Sequence, residues 1–375
     1  VFLTQSLPRI RLTDVKITFL SMNANLAGGS HIVAGHAQRL ASRGHQVTVV
    51  VRRASGPVGS TAPRFRKLKS SASLPAKRPS DFGGLGLDMR LTKSAGFIVA
   101  SDVPDVSTIV ATLWETAEWA QRFPRSEGAR ACFVQAHEVF DYLPVARVQA
   151  TLHALLHKVT ASAWLRREIE RVYNDHEIDL ALNAVDATEL DAPPRGRQVL
   201  PTIGFVFTQT SWKRVDQILQ AIARVVSEVP EPRVRAFRDD GLPTGLGVGE
   251  RISHTQCPSQ QEIADTYRQC DAWVTASVNE GFGLPALEAM ACRKPVVATR
   301  SGWPADSIRT GFSGFLAEEN DLETLLDEMR PVLTLPETQW RSMSTRAHAT
   351  AQTRTWEQST NQVDAALRRG IERRL

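Results

Sequence analysis

Residues 271–299, DAWVTASVNEGFGLPALEAMACRKPVVAT, run from an apolar β-prone stretch through a glycine turn into a helical stretch, an order that few folds accommodate. Pro285 stands where the first helical turn tolerates proline best, so the turn ends and the helix begins at that point. Gly281 and Gly283 let the backbone come close to a ligand, and Phe282 and Leu284 complete the loop. The N–H groups of Leu284 to Leu287, together with the helix dipole, are expected to attract a phosphate. Two carboxylates bracket this turn. Glu280 hangs from the strand end, and Glu288 is expected in the first turn of the helix, on the face toward the anion cradle. Carboxylates accept hydrogen bonds from sugar and ribose hydroxyls and repel phosphate, so the pair suits the sugar portions of a nucleotide sugar. A capped helix with an ordinary glutamate is the plainer alternative.

The rest of the chain alternates strand and helix. VKITFLSMN from Val15 reads as a strand, SHIVAGHAQRLASRGH as a helix with Val33, Ala37, Leu40 and Ala41 on one face and Gly44 at its end, and QVTVVV as a second strand. Further strands are expected at GFIVAS, STIVATLW, ARACFVQAH and IDLALNA, followed by a proline-rich break at 192–197. Beyond it TIGFVFTQ opens a second series: the helix VDQILQAIARVVSE, a strand near PRVRAFRD, the helix SQQEIADTYRQC and the glycine turn. This alternation gives the α/β class, with two Rossmann-like units over residues 1–197 and 198–355 and a long terminal helix over 356–375. A chain of 375 residues with 42% hydrophobic residues is large enough for two cores.

Charge and cysteine usage narrow the classes. The net charge of +5 is concentrated at 64–78, RFRKLKSSASLPAKR, which holds no acidic residue. Such a loop could contact anionic lipid, a phosphorylated acceptor or only solvent. Nucleic acid is not indicated: there is no aromatic-interleaved basic strand, zinc-finger spacing or helix-turn-helix pattern. Cys132, Cys257, Cys270 and Cys292 form no close pairs and read as buried thiols of a reducing compartment, hence a cytoplasmic protein, with the inner face of a membrane as an option. No apolar run reaches the ~20 residues of a membrane span, and the N-terminal residues lack a continuous signal-peptide core, although Val1 leaves a removed leader open.

Two further places offer chemistry. Gly28 and Gly29, in AGGS between the first strand and helix, could bring amides to a diphosphate or form a plain turn. His137 ends ARACFVQAH, as a satisfied structural residue or a site residue, and Trp114, Glu115 and Thr116, at the end of the preceding strand, are candidate acceptor contacts. There is no Asp-x-Asp and no His or Cys cluster with metal spacing, so no metal or other cofactor is expected.

With its two glutamates separated by seven residues around GFG, the chain resembles the retaining glycosyltransferases of glycosyltransferase family 4. The resemblance continues through PVVATRSGWPADSIRTGFSGFLAEEN, where Trp303 replaces the second of a glycine pair. It implies the GT-B architecture, two Rossmann-like domains facing a cleft with the C-terminal helix crossing back. It also implies sugar hydroxyls on Glu280, ribose on Glu288, diphosphate on Gly28 and Gly29, and a donor-sugar role for His137 that steadies the transition state. The family's diphosphate-binding Arg and Lys map onto FVFTQTSWKRVDQIL: Lys213 matches the Lys, Arg214 replaces a glycine, and the Arg position holds Phe207 or Thr208. Arg214 could assist Lys213 in place of that Arg. ATLWETA, FVQAHE and TSWK are similar to a subset that builds bacterial surface polysaccharides, rhamnosyltransferases included. The implied reaction is metal-independent transfer, with retention, from a dTDP-, GDP- or UDP-linked sugar to a glycan, glycolipid or other hydroxyl acceptor. A nucleotide-sugar epimerase or hydrolase on the same fold and a non-catalytic sugar-nucleotide-binding protein are the alternatives.

Overall fold

The structure is a computed structural model that describes residues 15–22, 29–53, 86–228, 232–238, 252–256 and 258–373. Gly28, Cys257 and the basic stretch 64–78 lie outside these residues. Thirteen strands are described, in two sheets. The first contains β1 (Lys16–Ser21), β2 (Gln46–Arg53), β3 (Asp88–Ala95), β4 (Thr108–Ala111), β5 (Ala129–Val134), β6 (His157–Thr160) and β7 (Ile178–Leu180), in the order β3-β2-β1-β4-β5-β6-β7. The second contains β8 (Thr202–Val206), β9 (Arg233–Arg238), β10 (Ile252–Gln256), β11 (Ala272–Thr275), β12 (Val296–Thr299) and β13 (Gly314–Ala317), in the order β10-β9-β8-β11-β12-β13. Every neighbouring pair of the second sheet is parallel.

Parallel strands need helical crossovers, and those helices bury both faces of a sheet. In the second sheet the side-chain alternation is plain. Ala272 and Val274 of β11 and Val297 of β12 pack with the helices Val215–Glu228 and Leu322–Thr334. Trp273, Val296 and Ala298 pack on the opposite side with the helices Leu284–Ala291 and Glu337–Gln352. The proline-rich break is tied to this sheet by one buried acid: Asp271 accepts from Arg195 Nη1 at 2.7 Å, from Gln198 N at 3.1 Å and from Thr202 N at 2.9 Å. The chain divides into two compact units, one of residues 1–133, 154–158 and 363–375, the other of Val134–His153 and Val159–Gln362.

Two expectations are corrected. GFIVAS is not a strand: the edge strand is β3, upstream, and Gly96–Ser101 forms a bend leading into a short 3₁₀ turn, Ala100–Asp102. The misreading has a physical source, because β3 is an edge strand with mostly polar, exposed side chains and lacks apolar alternation. Trp114 to Thr116 do not end a strand. β4 stops at Ala111, and Trp114 opens the helix Trp114–Ala120, where the Thr116 hydroxyl accepts from the amides of Thr112 and Leu113, both at 3.0 Å. Strand β6 and the helices Val145–Leu152 and Ala163–Tyr173 fall between the expected elements. Cys132, Cys270 and Cys292 are buried thiols, as their spacing suggested. Among the described residues no helix is long and apolar enough to cross a membrane.

Candidate active site

The helix Leu284–Ala291 begins where expected, with Pro285 in its first turn and Gly283 before it at φ +92°, in the left-handed region that favours glycine. Gly281 has a different constraint. A Cβ there would lie 1.6 Å from the Gln135 carbonyl oxygen, so the close approach that glycine permits is to the 135–136 backbone rather than to a ligand. The buried Ser162 hydroxyl donates to the Gly281 carbonyl at 2.6 Å and holds the turn from the same side. Phe282 turns inward and stacks on the fully buried Trp303, 5.8 Å between centroids, and the Trp303 amide donates to the Phe282 carbonyl at 2.8 Å. The tryptophan in place of a glycine therefore forms the floor of the turn.

The amides do not form the expected cradle. Pro285 has no N–H, and the amides of Ala286 and Leu287 both donate to the Gly283 carbonyl, at 3.0 and 3.4 Å. Glu288 is fifth in the helix, just past the first turn in which it was expected, because the helix starts at Leu284.

Lys213 and Glu280 are brought together. Strand β8 leads into a 3₁₀ turn, Ser211–Lys213, from which the ammonium reaches Glu280 Oε2 while lying 4.0 Å from the centroid of the Trp212 ring. The Glu280 amide donates to Ser301 Oγ at 2.7 Å, which fixes the backbone beneath the pair. Thr208, Lys213, Ser277, Glu280, Gly283 and Ser301 line one pocket at the carboxyl end of the second sheet, where open α/β sheets place their ligands. Arg214 sits at φ +47°, in the left-handed region, and its guanidinium is engaged by Asp216 and Asn320 instead of joining Lys213. Phe207 is buried core, and the Thr208 hydroxyl donates to Thr210 at 2.9 Å.

Glu288 has a drier environment. Its half-buried side chain accepts from Tyr267 Oη at 2.6 Å, and burial raises its pKa against the opposing effect of that bond. Tyr267 itself is fully buried, with its pKa pushed well above the usual phenol value by burial and then by the neighbouring glutamate. Glu319, another carboxylate near the turn, accepts from the Asn279 amide at 3.4 Å and is raised by burial. His137 lies just beyond β5, buried, with Nε2 2.9 Å from Tyr173 Oη and its pKa lowered by burial, so it is neutral at pH 7. Gly29 is the first residue of the helix Gly29–Ser42.

The structure thus joins Glu280 to Lys213, and sets Phe282 and Leu284 in and beside the turn. It adds Tyr267, Ser301 and Gln135, which the sequence reading had not singled out. A buried tyrosine must find a partner for its hydroxyl, so Tyr267 on the inner face of SQQEIADTYRQC was the most traceable of the three.

Residues 193–350 match the family model described as Glycosyl transferases group 1. The D-inositol 3-phosphate glycosyltransferase of Geodermatophilus obscurus is 33% identical over 176 residues, 43% of this chain and 38% of that protein. Its counterpart in Mycolicibacterium paratuberculosis is 32% identical over 177 residues, 45% of this chain and 40% of that protein. The chain spans about two fifths of the length of these curated relatives. Among solved structures, sucrose-phosphate synthase from Thermosynechococcus elongatus aligns with a TM-score of 0.71 at 15% identity, covering 94% of this chain and 98% of that one. Anabaena HepE in complex with UDP and glucose aligns with a TM-score of 0.70 at 16% identity, covering 94% and 99%. The fold is GT-B, in agreement with the expectation from sequence.

Proposed function

We propose that this chain is a glycosyltransferase that moves a sugar, with retention and without a metal, from a nucleoside-diphosphate sugar to a hydroxyl acceptor. The observation that carries the reading is the Lys213–Glu280 pair lining the pocket beside the glycine turn, with Glu288 on the helix that follows. A nucleotide sugar needs a cation where diphosphate charge grows and acceptors where sugar hydroxyls lie, and this pair supplies both. On binding, Lys213 exchanges Glu280 for the diphosphate, and the released carboxylate takes the sugar hydroxyls. Glu288 holds ribose, and His137, neutral and two residues beyond Gln135, contributes to the donor-sugar site. Anabaena HepE, solved with UDP-glucose, and the D-inositol 3-phosphate glycosyltransferases support the donor and transfer classes. Within this reading residues 1–197 with 356–375 serve the acceptor side and residues 198–355 the donor. The product belongs to glycoconjugate or surface-polysaccharide synthesis, with rhamnosyl transfer as one option, by a cytoplasmic enzyme whose basic stretch could touch the inner membrane face. Among the described residues no carboxylate is an evident nucleophile, so front-face displacement is favoured, with the departing phosphate oxygen taking the acceptor proton.

Product analysis with labelled UDP-, GDP- and dTDP-sugars, in EDTA and with added acceptors, tests this. Transfer is expected. Isomerised donor or free sugar points to an epimerase or hydrolase, binding without turnover to a non-catalytic protein, and loss of activity in EDTA restored by magnesium overturns the metal-free route. Glu280→Ala should slow transfer roughly tenfold to a hundredfold, the worth of a charge-assisted hydrogen bond of about 1.5 to 3 kcal/mol. Unchanged turnover in a folded variant sinks the assignment.

A further inference from the structure

Glu288 is a half-buried carboxylate held at one oxygen. An ionised carboxyl group has about four lone-pair sites, so a single phenol bond leaves capacity to accept from a ligand. Among the described residues, the only side-chain partner of Glu288 is Tyr267, through Oε2 at 2.6 Å. Among the described residues no cation is bonded to it, in contrast to Glu280. The donor is itself firmly placed. Tyr267 is fully buried, 4.3 Å from Trp273 and 5.6 Å from Phe237 between ring centroids, on the helix Gln260–Arg268. The thiols on either side do not compete: Cys270 donates to Thr266 O at 3.1 Å and Cys292 to Leu190 O at 2.7 Å. Burial pushes both up to about 12, so neither is a thiolate.

We propose that Tyr267 is a positioning residue for nucleotide binding: its hydroxyl fixes Glu288 through Oε2 and leaves Oε1 to accept the ribose hydroxyls. The inference rests on the reading above that Glu288 holds the nucleotide. A neutral donor suits the task. An arginine would occupy both oxygens and cancel the charge, whereas one phenol O–H fixes the carboxyl and preserves its capacity to accept. Rotation of the phenol is restricted by the Trp273 and Phe237 rings, so the carboxylate inherits a rigid reference.

The test titrates UDP, GDP and dTDP calorimetrically into the full chain and uses whichever binds most tightly as the probe. Tyr267→Phe keeps the ring and removes the bond, and its affinity should fall about tenfold. Glu288→Ala should weaken binding at least as much, and the double variant no further than Glu288→Ala alone, because Tyr267 acts through Glu288. Parent-like affinity in Tyr267→Phe with weakened Glu288→Ala overturns the inference and leaves the nucleotide reading standing. An equal further loss in the Glu288→Ala background also overturns it, since Tyr267 would then act by another route. Parent-like affinity in Glu288→Ala, or no binding of any of the three nucleotides to the parent, removes the nucleotide reading and the inference with it. Glu288→Asp covers a Tyr267→Phe chain that does not fold: it withdraws the carboxyl from the phenol by one methylene and should bind as weakly as Glu288→Ala. Parent-like affinity there is a refutation.

Discussion

Glu280 and Glu288 stand eight positions apart on one turn and helix, yet the protein treats them in opposite ways. The turn half, 279–283, is shaped by backbone contacts and carries a carboxylate balanced by a cation: Gly281 against Gln135, the Glu280 amide on Ser301, Glu280 on Lys213. The helix half, Leu284–Ala291, is shaped by side-chain packing, and its carboxylate meets a neutral phenol among buried aromatic rings. The balanced pair can be exchanged for a charged ligand at small cost, because the partner's charge remains to be used. The phenol-bound carboxylate retains its charge and gains a fixed direction. The contrast teaches that the two glutamates cannot be interchanged even though their chemistry is identical.

The largest effect is expected where the turn meets backbone. Gly281→Ala would place a methyl group 1.6 Å from a carbonyl oxygen that cannot move aside as a side chain would, so the 135–136 segment or the turn must shift. A loss on the order of 4 kcal/mol is expected, read as a fall in the unfolding midpoint in urea. A midpoint close to the parent's would mean that the turn is not held by that contact, and the comparison would lose its first term.

A middle-sized effect separates stability from binding at Glu288. Burial raises its pKa. For a carboxyl group the sign follows directly: with the folded value above the unfolded value of about 4.3, the native state binds the proton more tightly. The native state is therefore penalised at pH 7 and relieved as the pH falls through the raised value. Nucleotide affinity should move the other way and decline with acidification over the same window, since the ribose needs the ionised form. Glu288→Gln should raise the melting temperature at pH 7 while weakening nucleotide binding roughly tenfold to a hundredfold. It should also flatten the affinity–pH curve on its acidic side. A variant that loses stability at pH 7 would show that Glu288 is a structural acid.

The smallest effect belongs to the exchangeable pair. Lys213→Met leaves Glu280 without its cation in a pocket that solvent reaches, and should cost about 1 kcal/mol or less of stability. Nucleoside-diphosphate affinity should fall clearly, because the diphosphate loses its cation. Loss of stability without loss of affinity would reverse the assignment of the two halves.

Much of this was legible along the chain. The alternation of apolar runs gave strands such as β8 and β11 and the helix Val215–Glu228, because parallel sheets bury both faces and record that burial in composition. β3 escaped notice for the converse reason: an edge strand has little to bury. Within the site, the turn and both glutamates were readable from glycine, proline and carboxylate spacing, while the cradle of amides was overread. Whether an amide is spent depends on which carbonyl the first helical turn selects, and here Gly283 took both.

The local patterns in the sequence therefore determined an α/β chain with a strand–turn–helix bearing two carboxylates and a proline-marked helix start, because propensity and periodicity act over a few residues. Tertiary structure alone decided what those carboxylates meet: Lys213 lies 67 residues from Glu280, Tyr267 is 21 residues from Glu288, and the Gln135 backbone closes on Gly281. Such contacts are set by the order of strands in a sheet and the packing of helices upon it. Burial then decides how a carboxylate behaves: beside an ammonium it is neutralised, and beside a phenol in a dry setting it is raised in pKa and held in place.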